Sequence, residues 1–169
     1  MTCSKRFSKI IIGGTFDRFH AGHQFMIDIA SSLGCQVIIG ITSPQFLRKV
    51  AKKDFASMIQ PLETRKQAVE HYLREKGHQD WVLMPINDKW GKAHELDADA
   101  LVVTEETYPE GVRINKERKA HNRPPLTLIV IPHVTDEKGI IYTSTRLRQE
   151  ELARTKAKMK TNGSKKDTK

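Results

Sequence analysis

The sequence predicts an α/β fold: a single Rossmann-like domain with a five-stranded parallel sheet and helices on both of its faces. Three observations carry that expectation. Five short, β-branched apolar runs recur along the chain, each too continuously apolar to leave one face wet. They alternate with longer stretches whose apolar residues repeat at helical spacing. Neither an internal repeat nor an interdomain linker interrupts the 169 residues, a length at which one core buries about two thirds of the surface the unfolded chain exposes.

The first run, Lys9–Ile12, reads as a strand buried on both faces. After it Phe25, Met26, Ile29 and Ala30 recur in steps of one, three and four, which predicts a helix over Gly22–Ser32 that ends before Gly34. Gln36–Ile41 is the second strand. A basic segment, Phe46–Lys53, then leads to a helix over Leu62–Lys76, stopped by Gly77. Asp80–Met84 and Ala100–Val103 give the third and fourth strands. A helix over Glu110–Ala120 breaks at Asn122 and Pro124-Pro125, Thr127–Ile131 is the fifth strand, and Ser144–Lys158 is the last helix. Ligands of open parallel sheets bind beyond the carboxyl ends of the strands. The segments Gly13–His23, Thr42–Lys53, Pro85–Gly91, Thr104–Thr107 and Pro132–Thr145 are therefore expected to share one crevice.

Composition excludes several classes. The two cysteines, Cys3 and Cys35, are too few for a disulfide framework; they read as incidental thiols of a reduced, cytoplasmic protein. The apolar run Ile10–Ile12 is too short for a signal-peptide core, and no later segment could span a bilayer, so no membrane partner is expected. The net charge of +9 invites a nucleic-acid reading, but its distribution argues against one: residues 154–169 carry seven basic side chains against Asp167, leaving a mildly basic body. The expected division is a folded domain over residues 1–153 and a solvated, disordered basic tail over 154–169.

The most informative stretch is Gly13-Gly14-Thr15-Phe16-Asp17-Arg18-Phe19-His20-Ala21-Gly22-His23, where a buried strand gives way to a helix. A helix opening near Ala21 or Gly22 leaves its first N–H groups unpaired at the positive end of its dipole, and anions collect there. His20 and His23, three apart, can face the same side. Gly14 and Gly22 allow close approach to the backbone, and Thr15 adds a hydroxyl. That combination favours a phosphate site over two surface imidazoles, a simple cap, or a metal pair completed by Asp17. The glycine spacing is not the dinucleotide fingerprint, so no hydride chemistry is implied.

A second stretch, Gly139–Arg148, sets Thr143, Ser144 and Thr145 where the last helix begins, followed by Arg146 and Arg148. It reads as a helix cap, as a second phosphate cradle, or as both. Lys49 follows the second strand and reaches the same crevice, unless it sits in a mobile basic loop. Arg65 opens a helix where acids suit the dipole better, which is unfavourable without an anionic neighbour. Glu105-Glu106-Thr107 follows the fourth strand, and Arg113, Asn115 and Arg118 lie on the helix behind it, where they read mostly as surface residues.

Together these motifs, in this order, resemble the H-x-G-H nucleotidylyltransferase superfamily. Within it the chain is similar to phosphopantetheine adenylyltransferases of the archaeal and eukaryotic type. The residues that carry the likeness are Gly14-Thr15-Phe16-Asp17, His20-Ala21-Gly22-His23, the Lys49 loop, Val102–Thr107, Ile114-Asn115 with Arg118, and Thr143–Arg148, which together span about residues 7–152. The family's second cradle reads Ser-Ser-Thr; Thr143 replaces the first serine and keeps the hydroxyl.

The resemblance implies transfer of AMP from ATP to 4′-phosphopantetheine, giving dephospho-coenzyme A and pyrophosphate, a step of coenzyme A synthesis. It implies His23, His20 and Lys49 as catalytic residues. It implies ATP contacts from Gly14, Thr15, Phe16, His20, Gly22, His23, Glu105, Thr143, Ser144, Thr145, Arg146 and Arg148. Acceptor contacts are expected from Thr15, Lys49, Arg113, Asn115 and Arg118. Magnesium is expected to arrive on the ATP oxygens, with no protein ligand. The neighbouring readings are a cytidylyltransferase or flavin-type adenylyltransferase acting on another phosphorylated acceptor and, from a different class, a nucleic-acid-binding module using the basic tail.

Overall fold

The computed structural model describes residues 3–50 and 57–163, with side chains to residue 160. Its centre is β1 (Phe7–Gly14), whose Ile10, Ile11 and Ile12 are buried on both sides of the sheet. The remaining strands are β2 (Gly34–Thr42), β3 (Trp81–Ile86), β4 (Ala100–Thr104) and β5 (Thr127–Ile131). All pairings are parallel and the order is β3-β2-β1-β4-β5. The chain winds outward from β1 to β3, then returns to lay β4 on the free edge of β1. The strand order thus reverses between β1 and β4, and a crevice opens beyond their carboxyl ends.

The helices divide between the two faces, as the sequence predicts. On one face α1 (Ala21–Leu33) and α3 (Leu62–Glu75) pack Ile27, Ala30, Val69, Tyr72 and Leu73 against Ile10, Ile12, Val37 and Ile39. On the other, Ile114 of α4 (Tyr108–Ala120) meets Ile11, Leu101 and Val103. The β3–β4 connection, residues 87–99, crosses that second face without a helix. Buried Arg118 holds it in place: its guanidinium donates to the carbonyls of Ala93, Leu96 and Pro124 at 2.7–2.9 Å.

Three expectations need correction. The segment after β2 is not wholly a loop: Pro44–Val50 form a short helix, α2, with Ser43 Oγ capping Phe46 N at 3.1 Å and Leu47 buried. Ser-Pro is the local signal for that start, a capping hydroxyl followed by a residue with helical φ and no N–H to satisfy. Residues 51–53 of the expected crevice lie outside the described residues. The last helix, α5 (Ser144–Gly163), runs past the expected boundary at 153; its side chains from Glu151 to Lys160 are exposed, so this part of the tail is solvated yet helical. Residues 164–169 lie outside the described residues.

The third correction concerns the cysteines. Cys3 and Cys35 form a disulfide that fastens the N-terminal segment to the start of β2. Because the bridge encloses β1, the glycine-histidine turn and α1, it closes a loop around the first motif. A reducing compartment therefore draws no support from these cysteines. Closing a loop of this length restricts the unfolded chain by about 3–4 kcal/mol. Denaturant titrations should show the oxidised protein more stable by that order than the reduced protein or a Cys35→Ser variant; equal midpoints would mean the bridge contributes nothing. Arg118→Met should cost about 3 kcal/mol, since three carbonyls lose a charged donor, measured by the same titration.

Candidate active site

The first motif folds into a turn that places both imidazoles over the start of α1. His20 is the helix N-cap: Gly22 N–H donates to its Nδ1 at 3.1 Å. In return, His20 N–H donates to His23 Nδ1 at 3.3 Å, a capping box built from two histidines. Both Nδ1 atoms therefore accept, so each neutral ring carries its proton on Nε2. The rings stack with centroids 3.8 Å apart. Burial lowers the His20 pKa, against the pull of Asp17. Burial and then the charge of His20 push His23 down to about 3, with Asp17 again opposing. The free protein thus presents two uncharged N–H donors where it could have presented two cations. Gly22 suits this arrangement, since a Cβ there would lie 3.0 Å from the His20 ring and press on it.

Asp17 ties this turn to the rest of the site. Its carboxylate is fully buried and pairs with Arg148 at 2.5 Å and Arg18 at 3.0 Å, while Gln60 N–H donates to it at 2.9 Å. Ser144 Oγ donates to the Asp17 carbonyl at 2.7 Å. The start of α5 is thereby drawn against the start of α1, and the Tyr142 carbonyl lies over Gly22. Arg65, unfavourable by the dipole argument, finds carbonyls as its negative neighbours: it is buried and donates to Thr15 O, Thr42 O and Gln60 O at 2.8–3.0 Å, clamping the ends of β1 and β2.

Two cavities meet at the switch point. One, about 190 Å³, is lined by Gly13, Gly14, His20, Gly22 and His23, by the ends of β4 and β5, and by His133 and Tyr142. The other, about 250 Å³, lies on the α4 face among Ile11, Ile38, Met84, Ile86, Leu101 and Ile114. They share Gly13, Gly14, Val102, Val103 and Thr107 as lining residues.

The structure gathers only part of the expected site. Gly14, His20, Gly22 and His23 line the polar cavity, and Thr15 belongs to the same turn. Thr143, Ser144 and Thr145 stand at the adjoining helix start, where each hydroxyl is engaged: Thr143 caps Arg146 N, Ser144 reaches Asp17, and Thr145 accepts from Arg148. They act as caps and, through that geometry, bring the α5 N-terminus to the site. Phe16 is a correction: its ring is fully buried in the core, leaving only its backbone for a ligand.

Arg148 is a strut between the two motifs. Arg146 is likewise committed, to Asp136, Glu150 and the carbonyls of Ile140 and Ile141. Asn115 pairs in both directions with the backbone of Leu126, and Arg118 serves the β3–β4 connection; neither lines either cavity. Arg113 is exposed and paired with Glu110, Glu105 is exposed beyond β4, and Lys49 is exposed on the last turn of α2; none of the three lines either cavity. Asp17 is committed to its buried ion pairs, and among the described residues no group of three His, Cys, Asp or Glu is placed to hold a metal ion. Tyr142, His133 and Trp90 fall in segments expected to share the crevice but were not singled out by residue; Asp17 was quoted within the motif but not given its structural role.

Comparison with known proteins fits this geometry. Residues 11–150 match the cytidylyltransferase-like family. A protein of Methanopyrus kandleri described as phosphopantetheine adenylyltransferase is 43% identical over 152 residues, 89% of this chain and 94% of that protein. The chain belongs to the archaeal-type phosphopantetheine adenylyltransferases. Another member, from Methanothermobacter thermautotrophicus, is 37% identical over 88% of this chain and 87% of its own length. Among solved structures, an Archaeoglobus fulgidus protein titled as of unknown function superposes with a TM-score of 0.64 at 28% identity, covering 80% of this chain and 99% of that one. A bifunctional NMN adenylyltransferase/ADP ribose pyrophosphatase from Francisella tularensis, at 20% identity and a TM-score of 0.59, covers 85% of this chain and 42% of that one and shares the fold.

Two outcomes follow for this family member. Since the folded protein holds His23 neutral well below the ordinary imidazole pKa, the stabilisation is complete above about pH 6.5 and is lost as pH falls towards 3. Denaturation midpoints should drop on acidification across that window, with a shallower slope in His23→Asn. Asp17→Ala leaves Arg148 buried without its counter-charge and should cost about 3–5 kcal/mol, read in the same experiment at pH 7.

Proposed function

We propose that this protein transfers the adenylyl group of ATP to 4′-phosphopantetheine through the two imidazole N–H donors over the α1 N-terminus. The observation that carries this reading is the pair of stacked, neutral histidines facing a cavity at the sheet's switch point. An acceptor phosphate oxygen forms a bond to the α-phosphorus as the bond to the α–β bridging oxygen breaks, and pyrophosphate leaves. The acceptor is already an anion, so no enzymic nucleophile is needed. The obstacle is repulsion between two anions and the charge gathered on a crowded phosphorane, which fixed donors and alignment relieve.

His23 and His20 donate from Nε2 to the α-phosphate and the bridging oxygen. The N-terminus of α5, presented by the caps Thr143, Ser144 and Thr145, receives the β and γ phosphates. Thr15 and the exposed Lys49 steer the acceptor phosphate, and the apolar cavity houses the remainder of the acceptor. Magnesium carried on the ATP oxygens neutralises part of the phosphate charge. We place the protein in the cytoplasm on the strength of this biosynthetic role; among the described residues no helix is long and apolar enough to cross a membrane. Residues 1–153 form the transferase unit in this reading and 154–169 an appendage to it.

The deciding assay is pyrophosphate release with magnesium. ATP with phosphopantetheine should give turnover; turnover from CTP with glycerol phosphate, and none from ATP with phosphopantetheine, would overturn the substrate assignment. His23→Ala should lower turnover by on the order of hundreds-fold with a much smaller change in ATP affinity; a variant within about threefold of the parent would remove His23 from the transition state. Truncation after Met159 should leave turnover nearly unchanged, whereas the nucleic-acid reading requires loss of salt-dependent RNA or DNA affinity as its main effect.

A further inference from the structure

Away from the two cavities, a cluster of polar groups sits at the seam between α1 and α3, where packing alone would ask for apolar side chains. Tyr72 of α3 is buried, and its hydroxyl donates to Asp28 Oδ2 on α1 at 2.8 Å. Burial, and then that bond, push the phenol up to about 12, so it remains a donor at neutral pH. The other carboxylate oxygen of Asp28 lies 2.9 Å from His78 Nε2. Gly77, at φ +69°, makes this third contact possible: it ends α3 and turns the chain so that His78 N–H closes on the Leu73 carbonyl at 2.9 Å and its ring meets α1. A phenylalanine at position 72 would fill the core as well. The hydroxyl, carboxylate and imidazole therefore fix a position, because directional bonds hold one geometry where apolar contact tolerates several.

The Tyr72 ring leans on Phe19, with centroids 5.5 Å apart, and Phe19 lies nearly parallel to His23, 5.7 Å away at 18°. Phe19 stands one residue before His20, on the loop that carries the first motif, and packs on the core of that face. His23 needs such support. The hydrogen bond at its Nδ1, from His20 N–H at 3.3 Å, is long, and the His20 ring stacked on it belongs to the same turn. Phe16 touches it only at a tilt, 5.1 Å away. Phe19 supplies the flat face tied to a separate helix. We infer that Phe19 is a positioning residue that sets the plane of the His23 imidazole, and that the Tyr72–Asp28–His78 network holds Phe19 in place to do so. Its effect on rate rests on the adenylyltransferase reading given above, since a donor displaced by about 1 Å from its acceptor loses much of its hold on the transition state. None of the four residues lines the polar cavity; they act through His23.

The test uses the full chain, with pyrophosphate release measured from magnesium-ATP and phosphopantetheine. Tyr72→Phe keeps the core and deletes one hydroxyl; kcat should fall about threefold or more while both KM values stay within about twofold. Phe19→Leu keeps apolar bulk and loses the flat face, and kcat should fall about tenfold or more with the same split. The double variant should match Phe19→Leu within about twofold, since the hydroxyl acts through a ring that is already gone. Phe19→Tyr keeps the ring and should stay within about threefold of the parent. A kcat in Phe19→Leu within about twofold of the parent, or a loss in Phe19→Tyr as large as in Phe19→Leu, overturns the role and leaves Phe19 a packing residue.

A second readout needs no substrate. In the free parent at pH 7 the ring-nitrogen NMR shifts of His23 should be those of an imidazole protonated at Nε2 alone. In Phe19→Leu the two shifts should move towards each other, as the ring samples a second orientation and tautomer, and in Tyr72→Phe they should move in the same direction by less. Unchanged shifts in both variants overturn the positioning of His23 whether or not the parent is active. Shifts that move in a parent inactive on phosphopantetheine overturn the adenylyltransferase reading and leave the positioning of His23 standing. Should Phe19→Leu fail to fold, Tyr72→Phe carries both measurements, and an unmoved kcat or unmoved shifts there overturn the inference.

Discussion

The bond between Asp17 and Arg148 is the constraint on which the site depends. It joins residues 131 apart in sequence, and with the Ser144 hydroxyl on the Asp17 carbonyl it holds two helix starts side by side. Neither start alone would make more than a weak anion site, because the field of a helix N-terminus fades within its first turn. Together they stand beside one cavity, lined by His20, Gly22, His23 and Tyr142. Burying two charges is costly unless each is paired and its remaining bonding capacity is filled. Here Asp17 is completed by Arg18 and Gln60 N–H, and a second guanidinium nitrogen of Arg148 donates to Thr145. The same carboxylate opposes the fall in both histidine pKa values, so the group that fixes the architecture also tunes the donors.

A strongly basic chain thus commits several of its cations to its own frame. Arg65, Arg118, Arg146 and Arg148 are all engaged with carbonyls or carboxylates, and much of the net charge lies on the exposed end of α5. What lines the cavity at the first motif is a set of dipoles: two imidazole N–H groups and the amides at the start of α1. Dipoles fixed in place need no reorganisation when charge develops on a phosphorane, and a partly dry cavity strengthens their effect. The arginines contribute by holding that frame rigid, and Arg65 does so by gripping the carbonyls at the ends of the two strands from which the motifs spring.

The second face shows how an irregular segment can do the work of a missing helix. Where a crossover helix would have filled the space over β1, β2 and β3, the 87–99 connection arches over it and leaves a cavity. Its carbonyls, turned inward with no helix to satisfy them, take their donors from Arg118. The cavity exists because a loop spans a sheet less completely than a helix packs on it.

The sequence by itself determined the five strands, four of the helices, their parallel arrangement and the identity of the first motif, because those rest on local properties: continuous apolar runs, helical spacing, and glycines next to histidines. It also placed the caps Thr143, Ser144 and Thr145 at a helix start. Tertiary structure alone decided what the long polar side chains do. Arg118, Asn115, Arg146 and Arg148 reach several ångströms from their backbones, and their partners, Ala93, Leu126, Asp136 and Asp17, are distant in the chain or hidden in turns. Only the fold could reveal that these groups hold the frame. The bond between Cys3 and Cys35 follows the same rule: periodicity reports which face of an element is buried, while the partner of a side chain is set by where the other elements come to rest.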